Sequence, residues 1–319
     1  MISSLENTKK PRFSLLHRKY VPYVFISPFF VLFLVFGVFP TFYGLVLSFT
    51  KTRLTELNTM PWNGLENYVF TLFKDAWFWK AVTNTLILGV YGLLIQPIAV
   101  TLAFTIHMSL KRWRGFVTAM YFLPYITSTV AVSIIFSMVF SERVGIINAT
   151  LSVFNNLPLL GAIIPDEKIR WLGDPNTIKP VIAIVVLWKY LGWNVLLYLS
   201  RLQSIPLELY EAARVDGATT WQQFWNVTIP QLRGVIFFNI TLTIIGQMQL
   251  FDEPYTMVGK DGGAAQSGLT VAMYLFTTMT EYREAGTAAA MGWILFAFIL
   301  VLTLFNNRIF GSEARARGD

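Results

Sequence analysis

The chain has 319 residues, 55% hydrophobic and only 13% charged, with a formal net charge of +7 and no cysteine. Soluble domains carry about 25% charged residues, so this composition and its long uncharged runs exclude an ordinary soluble domain and indicate a polytopic membrane protein. Without cysteine there is no disulfide framework or thiolate metal site, and His17 and His107 are too far apart in sequence to argue for a metal centre. The positive charge does not indicate nucleic acid, because the basic residues gather at the ends of apolar runs, where they set membrane orientation.

Residues 1–20 contain Lys9, Lys10, Arg12, Arg18 and Lys19 and precede an uncharged run over 21–49. That run is longer than a signal-peptide core of about 7–15 residues, which predicts an uncleaved first transmembrane helix with a cytoplasmic N-terminus. Pro28 and Pro40 mark expected kinks or ends. Further spans are predicted over 82–106, 116–140, 181–200, 234–251 and 287–305, each near the roughly 20 residues that cross a hydrocarbon core. The expectation is an all-α fold of six transmembrane helices: a segment 1–20, a membrane domain 21–310 with a loop over 201–233, and a tail 311–319.

Lys and Arg in alternating loops set the orientation. One side holds the five N-terminal residues, then Lys111, Arg112 and Arg114, then Arg201, Arg214 and Arg233, then Arg308, Arg315 and Arg317, fourteen in all. The other holds nine: Lys51, Arg53, Lys74, Lys80, Arg143, Lys168, Arg170, Lys260 and Arg283. Both termini and the 201–233 loop are therefore expected in the cytoplasm. The apolar stretch 146–164 is read as a loop and not a seventh crossing, because Asn148, Asn155, Asn156, Pro158 and Gly161 would be costly in hydrocarbon. The stretch 269–280 is too short to cross and reads as a re-entrant or surface helix.

The 201–233 loop is a mixed-charge segment between two apolar spans. Ser204 is expected to cap a helix over 206–215, with Pro206 and Glu208 in its first turn and Gly217 placed to end it. Thr219 and Gln222 form a capping-box pattern for a second short helix, and Pro230 starts the return into the membrane. Arg201, Arg214 and Arg233 are balanced by Glu208, Glu211 and Asp216. A loop that rests on lipid headgroups is usually predominantly basic, so the balance favours a protein cleft.

Glu211-Ala212-Ala213, then Gly217, then Val227-Thr228-Ile229-Pro230 resemble the Glu-Ala-Ala loop of ABC-importer permease subunits, with Val227 and Ile229 as conservative departures. Trp62–Tyr68, Phe78-Trp79 before Asn84-Thr85, Phe122-Leu123-Pro124, Trp171–Asn176, Phe251–Tyr255, and Gly259 with Gly262-Gly263 resemble the sugar-importer branch, and the order resembles the first of two permeases in maltose- and glycerol-phosphate-type systems. The resemblance implies a type I importer fold in the bacterial or archaeal inner membrane. It also implies a second homologous permease, two ATP-binding subunits and an extracytoplasmic substrate-binding protein. Glu208, Tyr210, Glu211, Ala212, Ala213, Arg214, Asp216 and Gly217 would then form the coupling element seated in an ATPase cleft. No cofactor is expected on this chain, whose sequence lacks the Gly-rich loop and lysine that cradle phosphates, so ATP and Mg belong to partner subunits.

Polar residues within spans are candidates for a transport path. Asn239, Thr243 and Gln247 recur every four residues on one face of the fifth span. In the fourth, Lys189 and Trp193 share a face, with Tyr190 and Asn194 beside it. Amides and aromatic rings suit a sugar's hydroxyls and C–H faces, and the same groups also serve as hydrogen-bonded glue between helices. Lys189, near mid-span, is expected to face a wet cavity, a carboxylate or the partner permease, and would favour an acidic saccharide or phosphorylated polyol if it met the cargo. Asp252 and Glu253 are placed to be solvated at the outer surface or to meet the binding protein. A secondary transporter would show inverted repeats, and none is convincing. A membrane enzyme would need a catalytic constellation, and the Glu281, Arg283 and Glu284 cluster matches none.

Overall fold

The computed structural model describes residues 13–56, 58–110, 112–155 and 168–315. Lys9, Lys10, Arg12, Lys111, Arg317 and the second half of the 146–164 stretch lie outside the described residues. The described residues are almost entirely helical, with one isolated bridge between Thr50 and Trp62. Among the described residues, five helices are long and apolar enough to cross a membrane: Tyr20–Ser48, Ala76–Ser109, Pro175–Leu202, Thr220–Val258 and Ala285–Ile309. They are spans one, two, four, five and six.

Span three departs from the straight helix expected over 116–140. Arg114–Ile126 and Thr129–Val139 meet at a bend of 93°. Pro124 lies in the last turn of the first half, Thr127 is extended, and Ser128 caps the second half with its side chain. A proline without an N–H and a serine that restarts the helix break the ladder together.

Two other prolines are absorbed without a break. Wide turns of π type at Leu34–Val38 and Phe224–Thr228 directly precede Phe39-Pro40 and Ile229-Pro230. A proline ring clashes with the carbonyl four residues back, and one widened turn relieves that clash while the helix continues. The second short helix expected after Gly217 is for this reason the first turn of span five, which runs on from Thr220 through Pro230.

The described Ile146–Asn155 helix has 10 residues, too few to cross a hydrocarbon core by itself. Asn148 ties it down, donating to the carbonyls of Glu142 (3.2 Å) and Ile169 (2.9 Å) and accepting from the Trp171 indole (3.0 Å). Val271–Thr280, also 10 residues, packs against spans two and six.

The main core lies where spans two and four meet, with Ile95, Ala99, Ala103, Ile178, Ile182, Val185, Val195 and Leu202 fully enclosed. Spans three and four touch at Gly192, where an added Cβ would stand 1.8 Å from the Tyr121 carbonyl oxygen. Several residues that carry the family resemblance turn out to be staples. Asn67 donates to the carbonyls of Ser48 and Thr50, both at 2.8 Å, and closes the end of span one. Asn84 donates to the carbonyls of Gln266 (2.7 Å) and Leu269 (3.0 Å), and Thr85 accepts from the Val271 amide (3.0 Å). Gly262 and Gly263 have φ of 73° and 71°, which lets that loop fold tightly beneath Leu269.

Candidate functional site

The loop after span four forms a helix over Leu207–Val215. Its start corrects one expectation: Pro206 is the cap residue and no side chain caps the helix. Ser204 is used one turn earlier, donating to the Arg201 carbonyl (2.8 Å) and accepting from the Arg201 guanidinium (3.2 Å). The helix ends as expected. Gly217 has φ of 79°, and the Ala218 amide reaches back to the Ala213 carbonyl (2.8 Å), which satisfies a terminal carbonyl as only a left-handed residue allows. The Thr219–Gln222 capping box is closed in both directions, at 3.3 and 2.7 Å.

The two faces of this helix differ. Tyr210 is buried, its hydroxyl 2.9 Å from the Thr228 hydroxyl and its ring beside His107 at the end of span two. Burial pushes the Tyr210 phenol up, partly offset by the Thr228 hydrogen bond, so it stays neutral. It fastens the helix to its own chain. Glu208, Glu211, Ala212, Arg214, Asp216 and Gly217 are exposed and Ala213 is half-buried. With Leu207, Leu209 and Val215 also exposed, the outer face offers acids, a cation and apolar side chains together.

Within the membrane, a cavity of about 270 Å³ is lined by Tyr125, Tyr190, Trp193, Asn194, Thr243 and Gln247, with Ile95, Leu242, Gly246 and Leu250 completing the wall. Five of the seven residues expected along a transport path are thus brought together. Tyr125 stacks on Trp193 with centroids 4.9 Å apart and meets Tyr190 edge-on at 5.9 Å, so one wall is aromatic. Thr243 and Gln247 of span five add hydroxyl and amide groups to the lining.

Gln96, which the sequence reading missed, joins these helices. It donates to Asn194 (3.0 Å) and to Thr243 (2.7 Å) and accepts from the Tyr198 hydroxyl. Asn194 in turn donates to the Tyr190 carbonyl (2.9 Å). Asn194 and Thr243 therefore act as glue and as lining at once. The available signal was a single amide in an otherwise apolar run, followed by Pro97.

Two expected residues stand elsewhere. Asn239 is buried outside the cavity lining. Lys189 is also buried off the cavity, its ammonium 3.6 Å from the Glu253 carboxylate and donating to the Thr129 hydroxyl. Of the three surroundings expected for Lys189, the carboxylate is the one found. Glu253, expected at a surface, is 2% exposed, because its short helix Asp252–Val258 at the end of span five packs against span four and the second half of span three. A larger hollow of about 640 Å³ between spans two, five and six is walled mainly by aliphatic and aromatic side chains, which suits acyl chains or an apolar helix better than a hydroxylated cargo.

Residues 97–311, from mid-span two through span six, match the family described as "Binding-protein-dependent transport system inner membrane component". The chain belongs to this family. It is a transport permease, not an enzyme. The permease is 32% identical over 296 residues to the arabinooligosaccharides transport system permease protein AraP of Bacillus subtilis, covering 92% of this chain and 90% of that one. It is 35% identical over 286 residues to the lactose transport system permease protein LacF of Rhizobium radiobacter, covering 88% and 91%. Its fold matches a chain of a bacterial ABC transporter involved in import of the acidic polysaccharide alginate, with a TM-score of 0.76, 25% identity, and coverage of 97% and 100%.

Proposed function

We propose that this permease is one membrane half of an ATP-driven importer for a saccharide or polyol. An extracytoplasmic binding protein delivers the cargo, a second homologous permease completes the path, and two ATP-binding subunits hold the ATP and Mg. Both termini and the Leu207–Val215 helix lie in the cytoplasm. The cavity between spans two, four and five touches the cargo through Tyr190, Trp193, Asn194, Thr243 and Gln247.

The observation that carries this reading is the Leu207–Val215 helix itself. Its buried Tyr210 makes it move with spans two and five, while its exposed Glu211 and Arg214 await a partner. Charge-assisted hydrogen bonds in a cleft are stronger than surface pairs, so nucleotide-driven motion of the partner is transmitted to the spans. The names of the relatives, together with the aromatic and amide lining, support a saccharide cargo. Lactose and arabinotriose are the probes to use with the whole transporter in proteoliposomes. Glu211→Arg is expected to abolish uptake, by more than about a hundredfold, while membrane insertion and yield stay normal, since a like-charge clash in a docking cleft costs several kcal/mol. Undiminished uptake by that variant would end the coupling role.

A further inference from the structure

The least expected group in the permease is the buried pair Lys189–Glu253. Both side chains are almost fully enclosed, at 4% and 3% exposure. Isolated charges in a low-dielectric interior are costly, and even a matched pair is often no more stable than apolar residues of similar volume. Stability alone is therefore a poor reason for the pair, and its neighbours suggest another.

Tyr190 lies between the pair and the cavity. The Lys189 ammonium, held by the Glu253 carboxylate, sits 5.2 Å from the Tyr190 ring centroid, within the reach of a cation–π contact. Lys189 also donates to Thr129, the first residue of the second half of span three, just beyond the 93° bend. Glu253 comes from the short helix Asp252–Val258 that ends span five, where Asp252 is exposed. The pair thus connects span four, the bend of span three and the end of span five, and all three support one ring on the cavity wall. On the cavity side that ring meets Tyr125 and, through it, Trp193.

We infer that Lys189 and Glu253 are positioning residues for cargo: they form a charge-neutral strut that fixes Tyr190 against the transported molecule. Neither lines the cavity, so each acts through Tyr190. The inference rests on the proposed transport path, and it explains why a lysine near mid-span need not indicate an acidic cargo. Its charge is used within the wall. The strut also ties the tyrosine to the bend of span three, so rearrangement of the bend alters the grip on the cargo.

The test uses the whole transporter in proteoliposomes, with arabinotriose as the probe. Two readouts are taken: thermal stability of the assembled complex, and cargo moved per ATP hydrolysed. Lys189→Met or Glu253→Met alone leaves a buried charge unpaired and is expected to lower the amount of assembled complex by about tenfold or more. The double variant, without either charge, is expected to recover assembly and stability. Because the Tyr190 ring then lacks its cation, cargo per ATP should stay about two- to fivefold low, the scale of one lost cation–π contact. Tyr190→Leu, which removes the ring itself, should lower cargo per ATP at least as far with normal assembly, and should cost less in the double-variant background than in the parent.

Recovery of both assembly and cargo per ATP in the double variant would overturn the inference, because the pair would then be structural only. Single variants as stable as the parent would overturn the strut itself. No uptake of arabinotriose or lactose by the unmodified transporter would count against the saccharide reading instead. The stability comparison, with a thermal-stability cycle of Tyr190→Leu and Lys189→Met, still decides the strut in that case, and additive losses would overturn it.

Discussion

The Leu207–Val215 loop helix and the intramembrane cavity are built on opposite principles. The loop helix is local: its first residue after Pro206, its glycine stop and the capping box that opens span five lie within the stretch from Pro206 to Gln222. The cavity is assembled from residues about a hundred positions apart, as Gln96 with Asn194 and Tyr198 shows, and a further span supplies Thr243 and Gln247. Damage to the loop should therefore disconnect an intact membrane domain, whereas damage around the cavity should loosen the domain itself.

The sharpest way to break this contrast is at Gly192, next to the cavity wall. A side chain there has no space, because even a Cβ would meet the Tyr121 carbonyl oxygen at 1.8 Å. Gly192→Leu is expected to separate spans three and four and to leave almost no assembled complex, measured by size-exclusion after solubilisation, since overpacking a tight contact costs at least about 1–3 kcal/mol. Normal assembly would mean that the two spans are not held this closely. Gln96→Leu should come next. It removes three hydrogen bonds from the knot. At about 0.6 kcal/mol each in a membrane, the loss is about 2 kcal/mol. That should appear as a lower unfolding temperature together with slower uptake, and unchanged stability would show that the knot contributes little.

The smallest effect is expected in the loop, at Gly217. Its φ of 79° disfavours a β-branched residue, but nothing lies within 4 Å of an added Cβ. Gly217→Val should cost about 1–2 kcal/mol of local strain and slow uptake several-fold, while the domain unfolds at its normal temperature. Gly217→Asn, which tolerates the left-handed region, should be close to neutral. An equal fall in unfolding temperature for both loop and cavity variants would erase the distinction between the two regions.

Much of the fold was legible because hydrocarbon imposes one rule, that backbone groups be satisfied within each helix, and apolar length reports it. Apolar length located spans one, two, four, five and six on that ground, although span five starts at Thr220 and not near 234, because its helix runs on through Pro230. The bend in span three was not, because Pro124, Thr127 and Ser128 give only a local hint and the angle depends on what the second half packs against. Ser204 misled for a similar reason, since a serine ahead of Ile205-Pro206 could cap either turn, and Arg201 takes it.

The sequence by itself determined the helical membrane class, the unequal Lys and Arg content of alternate loops, the loop helix with its stop at Gly217, and the family. These are set by composition, period and short-range hydrogen bonding, which operate within a few residues of each other. Only the tertiary structure decided which polar residues of the spans meet. It put Tyr190, Trp193, Asn194, Thr243 and Gln247 on one cavity, left Asn239 and Lys189 off it, and brought Glu253 inward to Lys189. Helix period fixes which residues share a face, but the rotation of each helix against its neighbours fixes where that face points. Close contacts such as Gly192 against Tyr121 set that rotation.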